Sequence, residues 1–311
     1  NNRKDTLTHY GKISRTLAGR IIAISKRLKP YRAFDFEKQK LGKLSSPERG
    51  QLLIYLLESD LDTISLAYLY SRVDFSYADL KTYGKDKAYM RNVNFKNSDL
   101  TKSSFSNSDF RNCNLDNAIM PNSGFTNCNF TNSSLNNTNF RNSRFVYCKF
   151  NGISFYDTNL SSIDMWHSEL KRTNFNRVDL DWAKFNNCDF SYANFCDNSM
   201  KNMELEYIYS SSKFHGVCFD DSRHGELKPS YLSDLFSSFK LSDSELTRLM
   251  SDYEVVIDSS SHQGIDYKRD DKWRSRIGNF YDNNPVFGKE PKDTYDFYYV
   301  LKKKDLPLRN F

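Results

Sequence analysis

The sequence predicts a mainly β fold in which the middle third winds into a coil that turns a corner every five residues. Three observations carry this. From Phe75 to Leu205 every fifth residue can be read without a gap, and 26 of those 27 positions hold Phe, Leu or Met, with Lys85 the exception. The position two residues earlier is small or β-branched, as in Val93, Ser98, Ser103, Ser108, Cys113, Ala118, Ser123 and Cys128. The other three positions are polar and rich in Asn, Asp and Ser.

A period of five matches neither the 3.6 of an α-helix nor the 2 of a flat strand. It does match a coil whose sides are five residues long, with the large and the small residue pointing inward. Successive turns would then stack through backbone hydrogen bonds at the inter-strand spacing of about 4.8 Å. No single turn buries its own faces, so stability accrues by stacking neighbours. Each inward Phe or Leu contributes about 1.5–3 kcal/mol. A mean hydropathy of −0.72 beside 15% aromatic residues has the same origin, since the apolar residues are sparse but regularly placed.

On this motif, as in Ala78-Asp79-Leu80 and Ala193-Asn194-Phe195, residues 73–205 resemble the pentapeptide-repeat family. The resemblance implies a right-handed quadrilateral β-helix with four sides and 20 residues per turn, and it is nearly silent about function. The break at Tyr83-Gly84-Lys85-Asp86-Lys87 predicts a loop leaving the first turn. Cys113, Cys128, Cys148 and Cys188 occupy the small inward position and read as buried, reduced thiols, which favours a cytoplasmic setting. None of the six cysteines forms a C-x-x-C pair, so neither zinc nor disulfide exchange is indicated.

Residues 20 apart should lie above one another. Asp157, Arg177 and Asp197 then form a column of alternating charge, and Tyr147 and His167 are neighbours in another. Trp166 lies beside His167, while Trp182 and Tyr192 fall on other sides or turns. These five residues are the candidates for a protein interface, because exposed aromatics mark binding surfaces. The competing reading is that the terminal segments fold over them. Family members that mimic DNA carry strongly acidic rods. Residues 73–205 hold 15 Lys/Arg against 14 Asp/Glu, which argues against mimicry. Outward bases at Lys96, Arg111, Arg141, Arg144, Lys149, Lys171, Arg172 and Lys184 are accompanied by carboxylates, which argues against nucleic acid as a partner.

Residues 1–72 form a basic N-terminal region and cap, with 14 Lys/Arg against 7 Asp/Glu. Ile13, Leu17, Ile21, Ile24 and Leu28 recur at helical spacing and end at Pro30. Lys12, Arg15, Lys26 and Lys29 fall on the opposite face, and Arg20 and Arg27 flank the stripe. Such a helix either caps the coil, lies on an anionic membrane surface, or is a targeting sequence or binds an acidic partner. The stretches Arg20–Ile24, Lys29–Arg32 and Ser46–Leu53 resemble bacterial pentapeptide-repeat proteins that carry membrane helices further upstream. A second helix is predicted from Ser46 to about Glu58, with Pro47 at its first position and an apolar face of Leu52, Leu53, Leu56 and Leu57. No stretch is apolar enough to span a bilayer.

Residues 206–311 lose the five-residue register and predict a small α+β region. Helices are expected near 229–239 and 242–253, the second with a capping box at Ser242 and Glu245, and a late strand over Tyr295–Val300. His215, Cys218, Asp220, Asp221 and His224 cluster but match no catalytic or metal spacing. There is no phosphate-binding Gly-rich loop, H-E-x-x-H or G-x-S-x-G motif, so no cofactor is indicated. The resulting expectation is a non-enzymatic protein-binding scaffold, cytoplasmic or at the cytoplasmic face of a membrane, whose termini cap the coil or make it a homodimer. The alternatives are a regulatory domain of a bacterial membrane protein whose upstream transmembrane helices are absent, and an effector or enzyme using the C-terminal module.

Overall fold

A computed structural model describes residues 11–36, 38–196, 198–200, 202–206, 217–220, 243–258 and 298–303. Every fifth residue from Tyr77 to Tyr192 has a positive φ, and each of these residues is a corner. Between corners the chain makes four narrow parallel ladders whose partners lie 20 residues apart. One runs through Gly84, Ser104, Gly124, Arg144, Asp164, Lys184 and Glu204. The next side stacks Asp109, Asn129, Lys149, Glu169 and Asp189, and another Asp79, Asp99, Ile119, Asn139, Asn159, Asp179 and Ser199. The fourth passes through Ser154, Asn174 and Asn194. Four corners per 20-residue turn make the coil a quadrilateral β-helix.

The large inward residues fill the tube. Phe110, Phe130 and Phe150 stack at 4.7 and 4.9 Å, and Phe105, Phe125 and Phe145 at 6.0 and 5.2 Å. The two stacks meet edge to face, Phe125 against Phe130 at 5.4 Å, the favoured arrangement for ring quadrupoles. The small inward position does more than leave room. Ser123, Ser133 and Ser143 each donate to the carbonyl 23 residues back, at 2.6–2.7 Å. Cys113, Cys128, Cys148 and Cys188 take the same place and point their thiols at the equivalent carbonyls.

The loop expected at Tyr83–Lys87 does not form. Gly84–Asp86 pairs in register with Ser104–Ser106, so the coil is unbroken. Lys85 is tolerated at the large position because this is the open first turn. Its ammonium reaches Glu58 at 2.6 Å, and Tyr83 donates to the same carboxylate while its ring covers Phe105. Beyond Leu205 the coil adds one more strand. Val217–Asp220 pairs in parallel with Asn194–Cys196, at a step of 24 residues between Asn194 and Cys218. The antiparallel strand Tyr298–Lys303 covers its edge and is itself flanked by Tyr253–Asp258. A covered edge is protected from unwanted strand addition. Helix Asp243–Asp252 lies where the second C-terminal helix was expected, while that near 229–239 falls outside the described residues.

At the other end, α1 (Arg15–Arg27) is followed by the antiparallel pair β1 (Tyr31–Asp35) and β2 (Lys40–Ser45), then α2 (Pro47–Leu57) and α3 (Thr63–Tyr70). Ser46 caps α2 by accepting from Arg49 N–H, and its own backbone adds a rung above Tyr77 and Asp79. The apolar stripe assigned to α1 is corrected by one helical position. Ala18 and Ser25 are buried and Ile21 and Ile22 pack beside them, whereas Leu17 and Ile24 remain 50% and 52% exposed. Small residues permit the closest approach, so the seam follows Ala18 and Ser25. No helix among the described residues is long and apolar enough to cross a membrane.

Candidate partner-binding corner

The corner residue must adopt the left-handed conformation, which costs an ordinary L-residue roughly 1–2 kcal/mol and Asn much less. From Asn92 to Asn142 ten of the eleven corners are Asn, Lys102 being the other. From Tyr147 to Tyr192 only Asn187 is Asn among ten corners. Tyr147, His167, Trp182 and Tyr192 take the places that Asn fills earlier, all at φ between 51° and 62°. Large side chains held in an unfavourable conformation on the outside of a coil do not serve its core. Such outliers point to function.

Tyr147 and His167 share one corner column. Their rings stack at 5.0 Å and 10°. The Asn187 side-chain amide meets His167 Nδ1 at 2.6 Å and holds the imidazole from the turn beyond. On the other side the column runs into amides, with Asn127 donating to Asn107 at 2.8 Å. Trp166 stands on the adjoining strand, 6.4 Å from the His167 ring, and its indole N–H donates to Asp164. Tyr147 is 56% exposed, His167 is exposed and Trp166 half-buried. The result is a three-ring platform whose phenol and imidazole are exposed.

The other two candidates lie elsewhere. Trp182 belongs to the corner column of Ser162 and Asn202, and Tyr192 to that of Gly152 and Arg172. The five residues therefore occupy three corner regions, and only Tyr147, Trp166 and His167 are contiguous. Reading one residue at a time missed the surroundings. Arg144, Asp164, Lys184 and Glu204 alternate in charge along the platform's own ladder, with Arg144–Asp164 at 3.5 Å and Lys184–Glu204 at 2.8 Å. A period-20 reading of that column would have found it. The column predicted at Asp157 and Arg177 is formed at 2.8 Å, with the guanidinium also on Tyr156, while Asp197 lies outside the described residues.

Four cysteines line the inside of the coil, where the neighbouring Cys148 lowers the Cys128 thiol. Cys113, Cys128, Cys148 and Cys188 are buried, and burial pushes the Cys113 and Cys148 thiols well up. Among the described residues no group of His, Cys, Asp and Glu could hold a metal ion. Of the C-terminal cluster, Cys218 and Asp220 lie on the strand Val217–Asp220, and His215, Asp221 and His224 fall outside the described residues. Lys12, Arg15, Arg20, Lys26, Arg27 and Lys29 are all exposed on or beside α1.

Comparison with known proteins bears on the coil. Residues 118–195 match the family model of a pentapeptide repeat region, and residues 87–123 that of pentapeptide repeats in eight copies. The chain matches no curated protein. Among solved structures it is similar to HetL, a pentapeptide repeat protein involved in heterocyst differentiation regulation from the cyanobacterium Nostoc sp. strain PCC 7120. That match has 20% identity and a TM-score of 0.37, and covers 44% of this chain and 57% of HetL. A trypsin-treated QnrB1, a plasmid-mediated fluoroquinolone resistance protein, is 13% identical at a TM-score of 0.25, covering 53% of this chain and 95% of QnrB1. A pentapeptide repeat protein of the Arabidopsis thaliana thylakoid lumen is 14% identical at 0.23, covering 46% and 77%. With the five-residue register, the four-cornered turn and two family models in agreement, the central coil of this chain is a pentapeptide-repeat domain.

Proposed function

We propose that the chain is a non-enzymatic protein-binding scaffold whose partner docks on the Tyr147–Trp166–His167 corner. The observation that carries this is the change of corner residue after Asn142, from almost unbroken Asn to a mixed set in which Tyr147 and His167 stack in one column. Aromatic anchors ringed by polar groups are the usual composition of binding hot spots. The flanking Arg144, Asp164 and Lys184 supply a mixed-charge rim, which suits a protein partner of mixed charge.

The pairing of bases along the coil argues against nucleic acid. Arg111, Arg144, Lys149, Lys171 and Lys184 each have a carboxylate within 4 Å, so few charges remain to release counterions from a phosphate backbone. Free thiols buried inside the coil fit a scaffold in a reducing compartment better than a cysteine-based catalyst.

The test uses Tyr147→Asn with His167→Asn, which gives both corners the residue that the coil prefers. Partner recovery should fall at least about thirtyfold if both rings are hot spots, while thermal unfolding stays cooperative. Undiminished binding by a folded double variant would remove the proposal.

A further inference from the structure

Among the described residues, the hairpin formed by β1 and β2 is anchored at its base. The buried Arg49 donates to the Leu28 carbonyl just before β1, at 2.6 Å, and to Ser76 of the first turn at 2.8 Å. Ser46, just after β2, is bonded to Tyr77. Between these anchors no described residue of 31–45 is buried. An isolated two-stranded hairpin is marginal in water, yet this one carries much exposed apolar surface: Phe34 is 45% exposed, Phe36 78%, Leu41 59% and Leu44 38%.

The pairing gathers these side chains. Phe34 opposes Leu41 and Arg32 opposes Leu44, with a bulge between. The extra residue on β2 turns Leu44 back to the face of Leu41, since a bulge resets the alternation of the strand. Gly42 makes that approach tolerable, because a Cβ there would lie 3.1 Å from the Ala33 carbonyl oxygen. Phe36 extends the face at the turn, edge-on to Phe34 at 5.1 Å.

The segment that carries this face is strongly basic, with the Glu48 carboxylate accepting from Tyr31 at the hairpin base. Residues 11–45 hold ten Lys/Arg (Lys12 through Lys43) and two acids, Asp35 and Glu37, a net of +8. Lys38, Lys40 and Lys43 lie on the hairpin itself, Lys38 paired with Asp35. On α1 the exposed Leu17 and Ile24 are interleaved with Arg20 and Arg27, which repeats the same chemistry.

We propose that the β1–β2 hairpin is a membrane-docking element, which seats Phe34, Phe36, Leu41 and Leu44 in the interface of an anionic bilayer while its lysines meet lipid phosphates. A bilayer satisfies both halves of the pattern, apolar side chains inward and bases at the headgroups. A second copy would bring two strongly positive segments together and be repelled. The hairpin makes this contact, with the exposed Leu17–Ile24 side of α1 as a second basic and apolar surface; the Ala18–Ser25 side of α1 is buried. The contact is independent of the corner platform, which lies several turns along the coil.

The test is co-sedimentation of the full chain with vesicles of phosphatidylcholine alone or mixed with phosphatidylglycerol. Binding should require the anionic lipid and weaken as salt shortens the Debye length. Lys40→Gln and Lys43→Gln should each lower partitioning roughly fivefold, the equivalent of about 1 kcal/mol per basic residue. Phe36→Ser with Leu41→Ser should abolish it without changing the melting of the coil, since neither residue is buried. A Phe36→Trp chain should shift its emission to the blue when vesicles are added. Equal binding by the double serine variant, or an unshifted Trp emission, would overturn the proposal. So would a Phe36-dependent dimer, or Phe36-dependent capture by an acidic polypeptide with no lipid binding.

Discussion

At the scale of single residues, the corner is where this coil balances conformation against use. An Asn at the left-handed corner costs little and can join a ladder of side-chain amides, as Asn107 and Asn127 do. Tyr147 gains only a ring stack on His167 in exchange for the less favourable conformation. Tyr147→Asn is therefore expected to stabilise the chain by about 0.5–1 kcal/mol, and Asn127→Ala to destabilise it by about 1 kcal/mol. Chemical denaturation of the two variants checks both signs. The five-residue register revealed which residues point inward, because burial selects strongly at those two positions. It did not separate the three outward positions. Asn enrichment was visible, but its near-exclusive use at the corners from Asn92 to Asn142 becomes meaningful only once the corner is located. Likewise the small position was read as a matter of volume, whereas Ser123 and Ser133 show that it also donates a hydrogen bond into the preceding turn.

At the scale of elements, the junction between α2 and the coil rests on Gly50, which no pattern marks. Ser46 and Pro47 announced α2 correctly, since capping chemistry is local. Gly50, one turn on, lies directly over the first rung: a Cβ there would be 2.1 Å from the Asp79 carbonyl oxygen and 2.9 Å from its carbon. Both atoms are backbone and cannot move aside. Gly50→Ala should lift α2 from the coil and cost at least about 1–3 kcal/mol, the range for overpacking. Amide hydrogen exchange should show faster exchange over 47–70 with the coil beyond Asn92 unchanged. The hairpin escaped the sequence for the opposite reason. Neither of its faces is buried, and its bulge breaks the alternation, so Tyr31–Ser45 never shows the period of 2 that marks a strand. The misplaced seam of α1 has a related cause: Ala18 and Ser25 are too small to stand out in an apolar stripe, yet they make the close contact.

At the scale of the whole molecule, the two ends of the pH response belong to different parts of the chain. Glu58 is held below the usual carboxylate range by its hydrogen bonds from Lys85 and Tyr83, Asp62 by capping Ser65 of α3, and Asp86 by Asn107 and Ser106. All three sit in the cap or on the first turn. In the body of the coil the direction reverses: burial raises Asp109 and Asp157 despite the neighbouring Arg91 and Arg177. A lowered carboxylate contributes stability that is present above its unfolded value and lost as the pH falls through its folded value. A raised one contributes stability below its unfolded value that is lost as the pH rises through its folded value. Acidification below about pH 4, the ordinary carboxylate range, therefore removes support from the cap while favouring the folded coil at Asp109 and Asp157. The cap should loosen first. Brief digestion with pepsin at about pH 3 should cut within residues 46–72 and leave a resistant core that includes 87–195. Glu58→Gln should move cap cleavage to higher pH, because the ion pair with Lys85 is then already lost. Simultaneous cleavage of cap and coil at every acid pH would show that the two do not respond separately.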